Sequence, residues 1–256
     1  MPMVADPQAA SALLAEAFAA ATAAVVFTGA GISTESGIPD FRSPGGIWSR
    51  MRPIEFADFL ASEEIRLEDW RRRFRMRREF AAAMPNAGHV AVAGLVAAGR
   101  VAAVVTQNID GLHQRAGVAE ERIVELHGNG TRAACLDCAA AVDLDAAEAA
   151  IAASGRAPRC AACGGLVKAA IVSFGQPMPA AEMARARAAS LACDLFVVAG
   201  SSLVVQPAAG FPALAQRNGA RLVILDRQPT PLDAAADLVL RGAIGDILGA
   251  LAGAPA

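Results

Sequence analysis

Four of the five cysteines fall in two hooks, Cys135-x-x-Cys138 and Cys160-x-x-Cys163, with residues 139–159 between them. Two such hooks supply four thiolates to one tetrahedral Zn²⁺, and a shell filled by protein sulfur leaves no position for a reacting water, so the expected ion is structural. A redox pair is the competing reading, and the paired hooks match that context poorly. Cys193 stands at the head of an apolar run and reads as an inert core residue. A second chemical signal follows the apolar run Ala24–Thr28, where the chain reads Gly29-Ala30-Gly31-Ile32-Ser33 and continues to Asp40-Phe41-Arg42. Gly-x-Gly between a strand and a helix start lets backbone amides approach a pyrophosphate at the positive end of a helix. The dinucleotide fingerprint is incomplete: position 34 is threonine instead of a third glycine, and the region about twenty residues on holds Arg50 instead of an acid. A tight turn would leave the same trace, and Arg42 adds a charge-assisted donor for phosphate. The third signal is Gln107-Asn108-Ile109-Asp110 after the run Val101–Thr106. The fourth is His127, a candidate general base behind Ile123-Val124-Glu125-Leu126. By residue type alone His127 fits a structural or a catalytic role equally; His89 sits inside a helical pattern and reads as packing, and His113 as a loop-orienting group.

The elements that must hold these residues alternate short β-branched runs with Ala/Leu-rich helical stretches, the pattern of a parallel sheet covered by helices on both faces. Asp6-Pro7 caps a helix expected to run to about Ala21, and Asn86 to Ala98 forms another, closed by Gly99. Ala24–Thr28, Val101–Thr106, Leu195–Ala199, Arg221–Leu225 and 237–240 are expected strands, buried on both sides. The fold class is α/β, a Rossmann-like parallel sheet. Two stretches break its rhythm: the Arg-rich helical residues 45–84 and the cysteine-bearing residues 131–170. They form a smaller discontinuous module, a helical insertion plus a four-cysteine zinc ribbon, against a large domain of 1–44, 85–130 and 171–256. A cleft between the two is the expected binding site.

Composition narrows the function classes. The 256 residues are 55% hydrophobic and 19% charged, which excludes a disordered chain, and the net charge of −2 gives no reason to expect nucleic acid. Between Gly128 and Gly165 the basic residues are only Arg132, Arg156 and Arg159, against a DNA-reading ribbon. The first 25 residues carry Asp6 and Glu16 and no basic residue, unlike a secretory signal, so a cytoplasmic location is expected. Leu195 to Gln216 is uncharged, but Gly200, Pro207, Gly210 and Pro212 punctuate it, and no membrane span is expected. There is no tyrosine and a single lysine, Lys168.

Taken in order, these blocks resemble the sirtuin family of NAD-dependent protein deacylases from about Ala24 to Leu248. The resemblance rests on Gly29–Arg42, Gln107–Asp110, His127-Gly128, the two cysteine hooks, Val172-Ser173-Phe174-Gly175 and Gly200-Ser201-Ser202. It implies NAD as co-substrate and one structural Zn²⁺ held by Cys135, Cys138, Cys160 and Cys163. Gly29, Ala30, Gly31, Ser33, Asp40, Phe41 and Arg42 would hold the pyrophosphate and cover the nicotinamide ribose. Gln107, Asn108, Ile109 and Asp110 would position nicotinamide and its ribose, with Asn108 and Asp110 serving catalysis beside His127 as base. Ser201 and Ser202, after Gly200, would bind near the adenosine ribose. Val172, Ser173, Phe174 and Gly175 would pair edge-on with an acyl-lysine peptide. The implied reaction moves the acyl group from lysine to ADP-ribose with release of nicotinamide.

The chain also departs from the family pattern. Gly-Ser-Ser replaces the commoner Gly-Thr-Ser and keeps the hydroxyl. Asp226 replaces an asparagine after Arg221–Leu225; its carboxylate accepts from ribose hydroxyls and repels a 2′-phosphate, which predicts NAD over NADP. Family members that remove succinyl or malonyl groups place a Tyr-x-x-Arg pair in the acyl pocket, where this chain has Phe74 and Arg77. With the arginine present and the hydroxyl lost, the expectation is acetyl-lysine over acidic acyl groups. Mono-ADP-ribosyl transfer and a non-catalytic NAD-binding module are the alternatives, and the complete set Asn108, Asp110 and His127 speaks against the latter. Oligomeric state is not readable from the sequence.

Overall fold

The computed structural model describes residues 3–41, 43 and 45–253. Ten strands lie among them: β1 (Met3–Val4), β2 (Ala24–Thr28), β3 (Val101–Thr106), β4 (Ile123–Glu125), β5 (Gly128–Cys135), β6 (Ala141–Val142), β7 (Val167–Ile171), β8 (Leu195–Ala199), β9 (Arg221–Leu225) and β10 (Leu238–Leu240). The α-helices are α1 (Pro7–Ala20), α2 (Ile47–Arg50), α3 (Phe56–Ala61), α4 (Glu63–Ala82), α5 (Ala87–Ala97), α6 (Leu112–Arg115), α7 (Leu144–Ser154), α8 (Ala180–Ala192), α9 (Gly210–Arg217) and α10 (Ile244–Gly249). Seven strands form one parallel sheet in the order β1-β10-β9-β8-β2-β3-β4. The chain runs outward from β2 through β3 to β4, returns to β8 on the other side of β2, and runs outward again to β9 and β10. The order therefore reverses between β2 and β8, the place where open α/β sheets bind ligands.

Alternation along the central strands builds the two faces. Val26, Val104, Val197 and Val223 pack with Ala10, Leu14 and Phe18 of α1, Val92 of α5 and Ile247 of α10. Val25, Phe27, Val105, Phe196 and Ile224 face the other way onto Ala186 of α8 and Phe211 and Ala215 of α9. Capping chemistry sets the helix starts: the Asp6 carboxylate accepts from Ala9 N at 2.8 Å, as expected, while Asn86, read as the first helical residue, instead caps α5 in a reciprocal box with His89.

Three local expectations are corrected, and one strand was not anticipated. Helix α1 stops at Ala20 because Ala21 is already extended. Asp237 stands outside β10, its carboxylate accepting from Leu222 N at 2.8 Å. Cys193 closes α8 instead of opening β8, and is buried there. The edge strand β1 carries only two residues, too few for a period to be read.

The remaining strands form an antiparallel sheet in the order β6-β5-β7. Trp70 and Phe74 of α4, Leu144 and Ala147 of α7, and Ala133, Cys135, Cys160 and Val167 share one small core. The helical insertion and the cysteine-bearing segment thus fold onto each other, and Arg77–Asp145 and Arg78–Glu148 pair at the rim. Among the described residues no single helix is long and apolar enough to cross a membrane.

Candidate active site

The central strands end flush. Thr28 lies opposite Thr106 and Ala199, Thr106 opposite Glu125, and Ala199 opposite Leu225. Five of the blocks singled out therefore leave the same edge of the sheet: Gly29–Ser33 after β2, Gln107–Asp110 after β3, His127 after β4, Gly200–Ser202 after β8 and Asp226 after β9. They open onto a cleft of about 530 Å³ whose far wall is the small module. That volume lies within the range of small-molecule and cofactor sites.

Glycine is required at the switch point by close approach of two loops. Gly31 N donates to Gly200 O at 2.8 Å, and a Cβ on Gly29 or Gly31 would stand 2.6 or 2.7 Å from Gly200 atoms. A Cβ on Gly200 would come within 2.4 Å of Ile32 N. The loops after β2 and β8 thus lock backbone to backbone, with Gly29, Ala30, Gly31, Gly200, Ser201 and Ser202 all on the cleft wall. The expected helix start after Gly29 is a seven-residue 3₁₀ helix, Ala30–Ser36. Asp40 and Phe41 line the cleft; Arg42 lies outside the described residues. Phe41 packs on Trp48 (5.4 Å between ring centroids), and Trp48 on Phe174 (5.2 Å), so three aromatic rings bridge the loop to the Val172–Gly175 segment.

Gln107 and Asn108 are held by their neighbours on the sheet edge. Gln107 Nε2 donates to Ser201 Oγ at 2.7 Å, and Asn108 Nδ2 donates to Gly29 O at 3.1 Å and Ser33 Oγ at 3.2 Å. Ser33 and Asp110 stand behind the wall: Ser33 Oγ donates to Asp110 Oδ2 at 2.7 Å, and both residues are buried. Burial pushes the Asp110 carboxyl above its ordinary range. Asp226 does line the cleft. Its Oδ1 accepts from Gln228 N at 2.8 Å, and burial raises its pKa.

The three histidines separate by position. His127 lines the cleft, and its Nδ1 lies 3.0 Å from Gln107 O. A carbonyl only accepts, so the neutral ring carries its proton on Nδ1 and its basic lone pair on Nε2. His113 and His89 are buried behind the loop, with ring centroids 5.1 Å apart; His113 Nε2 meets Thr28 Oγ1 at 2.9 Å. Burial lowers His89 to about 4 and His113 to about 3. Both groups take protons near 6.5 when unfolded, so the unfolded chain binds more protons between there and about pH 4, and stability falls with falling pH across that window. Two such groups predict a loss of roughly 3 kcal/mol per pH unit from pH 6 to 4. Urea unfolding at stepped pH measures it, and the slope flattens in His89→Gln/His113→Gln.

Two further expectations change. The segment Val172–Gly175 lines the cleft, but Val172 N already donates to His127 O at 2.9 Å, and Phe174 O accepts from Phe56 N at 2.8 Å. Gln176 N bonds Ser173 O at 3.0 Å, with Gly175 at φ +75°, so the segment closes a turn and pairs with Glu55 instead of presenting a bare extended edge. Phe74 and Arg77 do not reach the cleft. Phe74 stacks on Trp70 at 5.3 Å in the small core, and Arg77 is paired with Asp145 at 2.5 Å, because their helical phase turns them toward α7. Asp69, Arg72, Arg73 and Met76 are the α4 residues on the cleft wall.

The four cysteine sulfurs lie within 4.8 Å of one another, with Cys135–Cys163 at 3.5 Å and Cys138–Cys160 at 3.6 Å. Zn–S bonds of about 2.3 Å in a tetrahedron place sulfurs about 3.8 Å apart, so the cluster fits Zn²⁺ with no open coordination position.

A parallel-sheet switch point facing a four-cysteine module, with one histidine at the strand ends, defines an α/β nucleotide-cleft protein of the NAD-using kind. The signature of the Sir2 family matches residues 29–207, and the chain belongs to that family. It is 58% identical over 240 residues to NAD-dependent protein deacetylase 1 of Bradyrhizobium diazoefficiens, covering 94% of each chain. It is 55% identical to the NAD-dependent protein deacetylase of Rhodopseudomonas palustris, over 94% of this chain and 95% of that one. A solved Sir2 protein bound to a propionylated peptide superposes with a TM-score of 0.81 at 34% identity, over 93% of this chain and 94% of that chain.

Proposed function

We propose that this chain is an NAD-dependent protein-lysine deacetylase, and that the observation carrying the reading is the convergence of His127, Gln107, Asn108 and the Gly29–Gly200 lock on one cleft. Bound NAD supplies an electrophilic ribose C1′ and nicotinamide as leaving group. The interlocked loops after β2 and β8 hold the pyrophosphate; Gln107 and Asn108, fixed by Ser201, Gly29 and Ser33, orient the nicotinamide end. Asp110 is a positioning residue that anchors Ser33. His127 Nε2 takes a ribose hydroxyl proton while Gln107 O steadies the ring through Nδ1. Peptide enters between Phe174, Trp48 and the small module, and affinity from backbone pairing falls to the atoms of Val172–Gly175 not already engaged. The four thiolates need a reducing compartment, which supports the cytoplasm.

The test is nicotinamide release with mass spectrometry of the products. Release is expected to require an acetyl-lysine peptide and to yield free lysine and O-acetyl-ADP-ribose. ADP-ribosylated protein as the main product would favour the transferase reading, and no release a binding module. NADP in the same assay is expected to be used about 100-fold less efficiently, since a 2′-phosphate would face the Asp226 carboxylate, and Asp226→Asn narrows that gap. Equal turnover of the two cofactors removes Asp226 from this role.

A further inference from the structure

The candidate base stands where the chain passes from one sheet to the other. β4 ends at Glu125 and β5 begins at Gly128, so Leu126 and His127 alone link them. The backbone of the link is bonded from both sides, by Leu126 N to Thr106 O at 3.0 Å and by Val172 N to His127 O at 2.9 Å. Gly128 then turns at φ +74°, where a Cβ would stand 2.1 Å from Ala170 O. Side chains close a second bracket over the same link. Asn129, buried, reaches back across it and donates from Nδ2 to Glu125 Oε1 at 2.6 Å. Its Oδ1 accepts from Thr131 N at 2.9 Å and from Thr131 Oγ1 at 2.6 Å. Gln114 of α6 donates from Nε2 to the same Glu125 Oε1 at 2.6 Å. One carboxylate oxygen thus ties α6, the end of β4 and the start of β5 together around His127.

The character of this bracket follows from what surrounds it. Glu125, Gln114, Arg132 and Arg185 share a second cavity of about 170 Å³, apart from the cleft. Arg132 is committed to Glu120, and Arg185 to Glu182 and Glu121 O, so the donors to Oε1 are two neutral amides and not a cation. Bonds to an ionised oxygen are shorter and stronger than neutral ones, which suits them to holding a geometry. None of Glu125, Gln114 and Asn129 is on the cleft wall, whereas His127 is. The shortest route from these three residues to the reaction is therefore the link they enclose. The demand there is severe, because a displacement of about 1 Å costs up to about 100-fold in rate. The imidazole meets that demand while Nδ1 stays on Gln107 O, a contact between the link and the loop after β3.

We propose that Glu125 is a positioning residue for His127: with Asn129 and Gln114 it fixes the β4–β5 link, and so the direction in which Nε2 addresses the ribose hydroxyl. What the bracket needs is an acceptor oxygen at Oε1, not a negative charge. The proposal rests on the reading of His127 as the base, and it adds no bond change to that reaction.

The experiment is a pair of double-mutant cycles on the zinc-loaded protein, read as kcat for acyl-lysine-dependent nicotinamide release at saturating NAD and acetyl-lysine peptide. Glu125→Ala and Asn129→Ala are each expected to lower kcat about thirtyfold, with KM for NAD and for peptide held within about threefold. Glu125→Gln keeps the acceptor and is expected to stay within about threefold of the unaltered protein. In the His127→Ala background Glu125→Ala is expected to cost less than about twofold, since a residue that acts through the imidazole has nothing left to position once the ring is gone. Gln114→Ala removes one donor on a separate helix and leaves the Glu125–Asn129 bond in place. It is the variant less exposed to misfolding, with an expected loss of about fivefold that likewise disappears with His127, and its cycle decides the matter if Glu125→Ala does not fold. An unchanged kcat in Glu125→Ala overturns the proposal, as does a Glu125→Gln protein as slow as Glu125→Ala, or a loss of equal size with and without His127. If His127→Ala itself keeps full activity, the assigned base falls and the bracket with it; if His127→Ala is slow but the Glu125→Ala loss persists in its background, the deacylase reading stands and the bracket alone falls.

Discussion

His127→Ala is expected to lower acyl-lysine-dependent nicotinamide release by about a thousandfold, in the middle of the range for a positioned general base, while NAD affinity stays within about threefold. The separation follows from where the ring sits. Gln107 O fixes Nδ1 from the sheet side, and the backbone carbonyl of His127, not its side chain, accepts from Val172 N, so alanine leaves the strand junction intact. The nucleotide loops are held by Gly31, Gly200, Gln107 and Ser201, none of which bonds the imidazole through its side chain. Free imidazole added to the variant is expected to restore part of the rate, which a merely structural histidine would not allow. Full activity in the variant would remove His127 from the mechanism, and parallel loss of NAD binding would make it a structural residue. His89 and His113 are no substitutes: burial holds them neutral behind the loop, outside the cleft wall.

The residues that do chemistry were legible because each block is short and local: a Gly-x-Gly after an apolar run, three polar side chains after another, hooks of fixed spacing. What joined them was not. Strands β2 and β8 are neighbours across more than half the chain, and no local period announces that Gly200 will press against Gly31. The α4 wall of the cleft was misread for a helical reason. Arginine at 71, 72, 73, 75, 77 and 78 surrounds α4 with charge and hides its phase. Trp70 and Phe74, four residues apart, mark the buried stripe and assign Phe74 to the small core; Asp69, Arg73 and Met76 form a separate stripe, at i, i+4 and i+7, which the structure puts on the cleft. The turn at Ser173–Gln176 depends on Glu55 and Phe56, more than a hundred residues away, so Val172–Gly175 read as an open edge.

That same phase ties the metal to the cleft, and it makes zinc removal the second large effect. The core around Cys135 and Cys160 includes Trp70 and Phe74, while the adjoining face of α4 carries Asp69, Arg73 and Met76 to the cleft. Structural Zn²⁺ contributes on the order of 10 kcal/mol to the folding of a site like this one, comparable to the whole net stability of a domain, and so small a core has little else to replace it. Elemental analysis is expected to give one zinc per chain, and Cys160→Ser or strong chelation to unfold the small module. Turnover of acyl peptide should then be lost while NAD still binds, because Gly29–Gly31, Gly200–Ser202 and Asp226 all hang from the seven-stranded sheet, whose core contains none of the four ligands. Calorimetry should show the low-temperature part of the unfolding profile shifted down, with the part stabilised by NAD retained. A Cys160→Ser protein with no zinc, an unchanged melting profile and full turnover would instead leave the four thiols without a structural role.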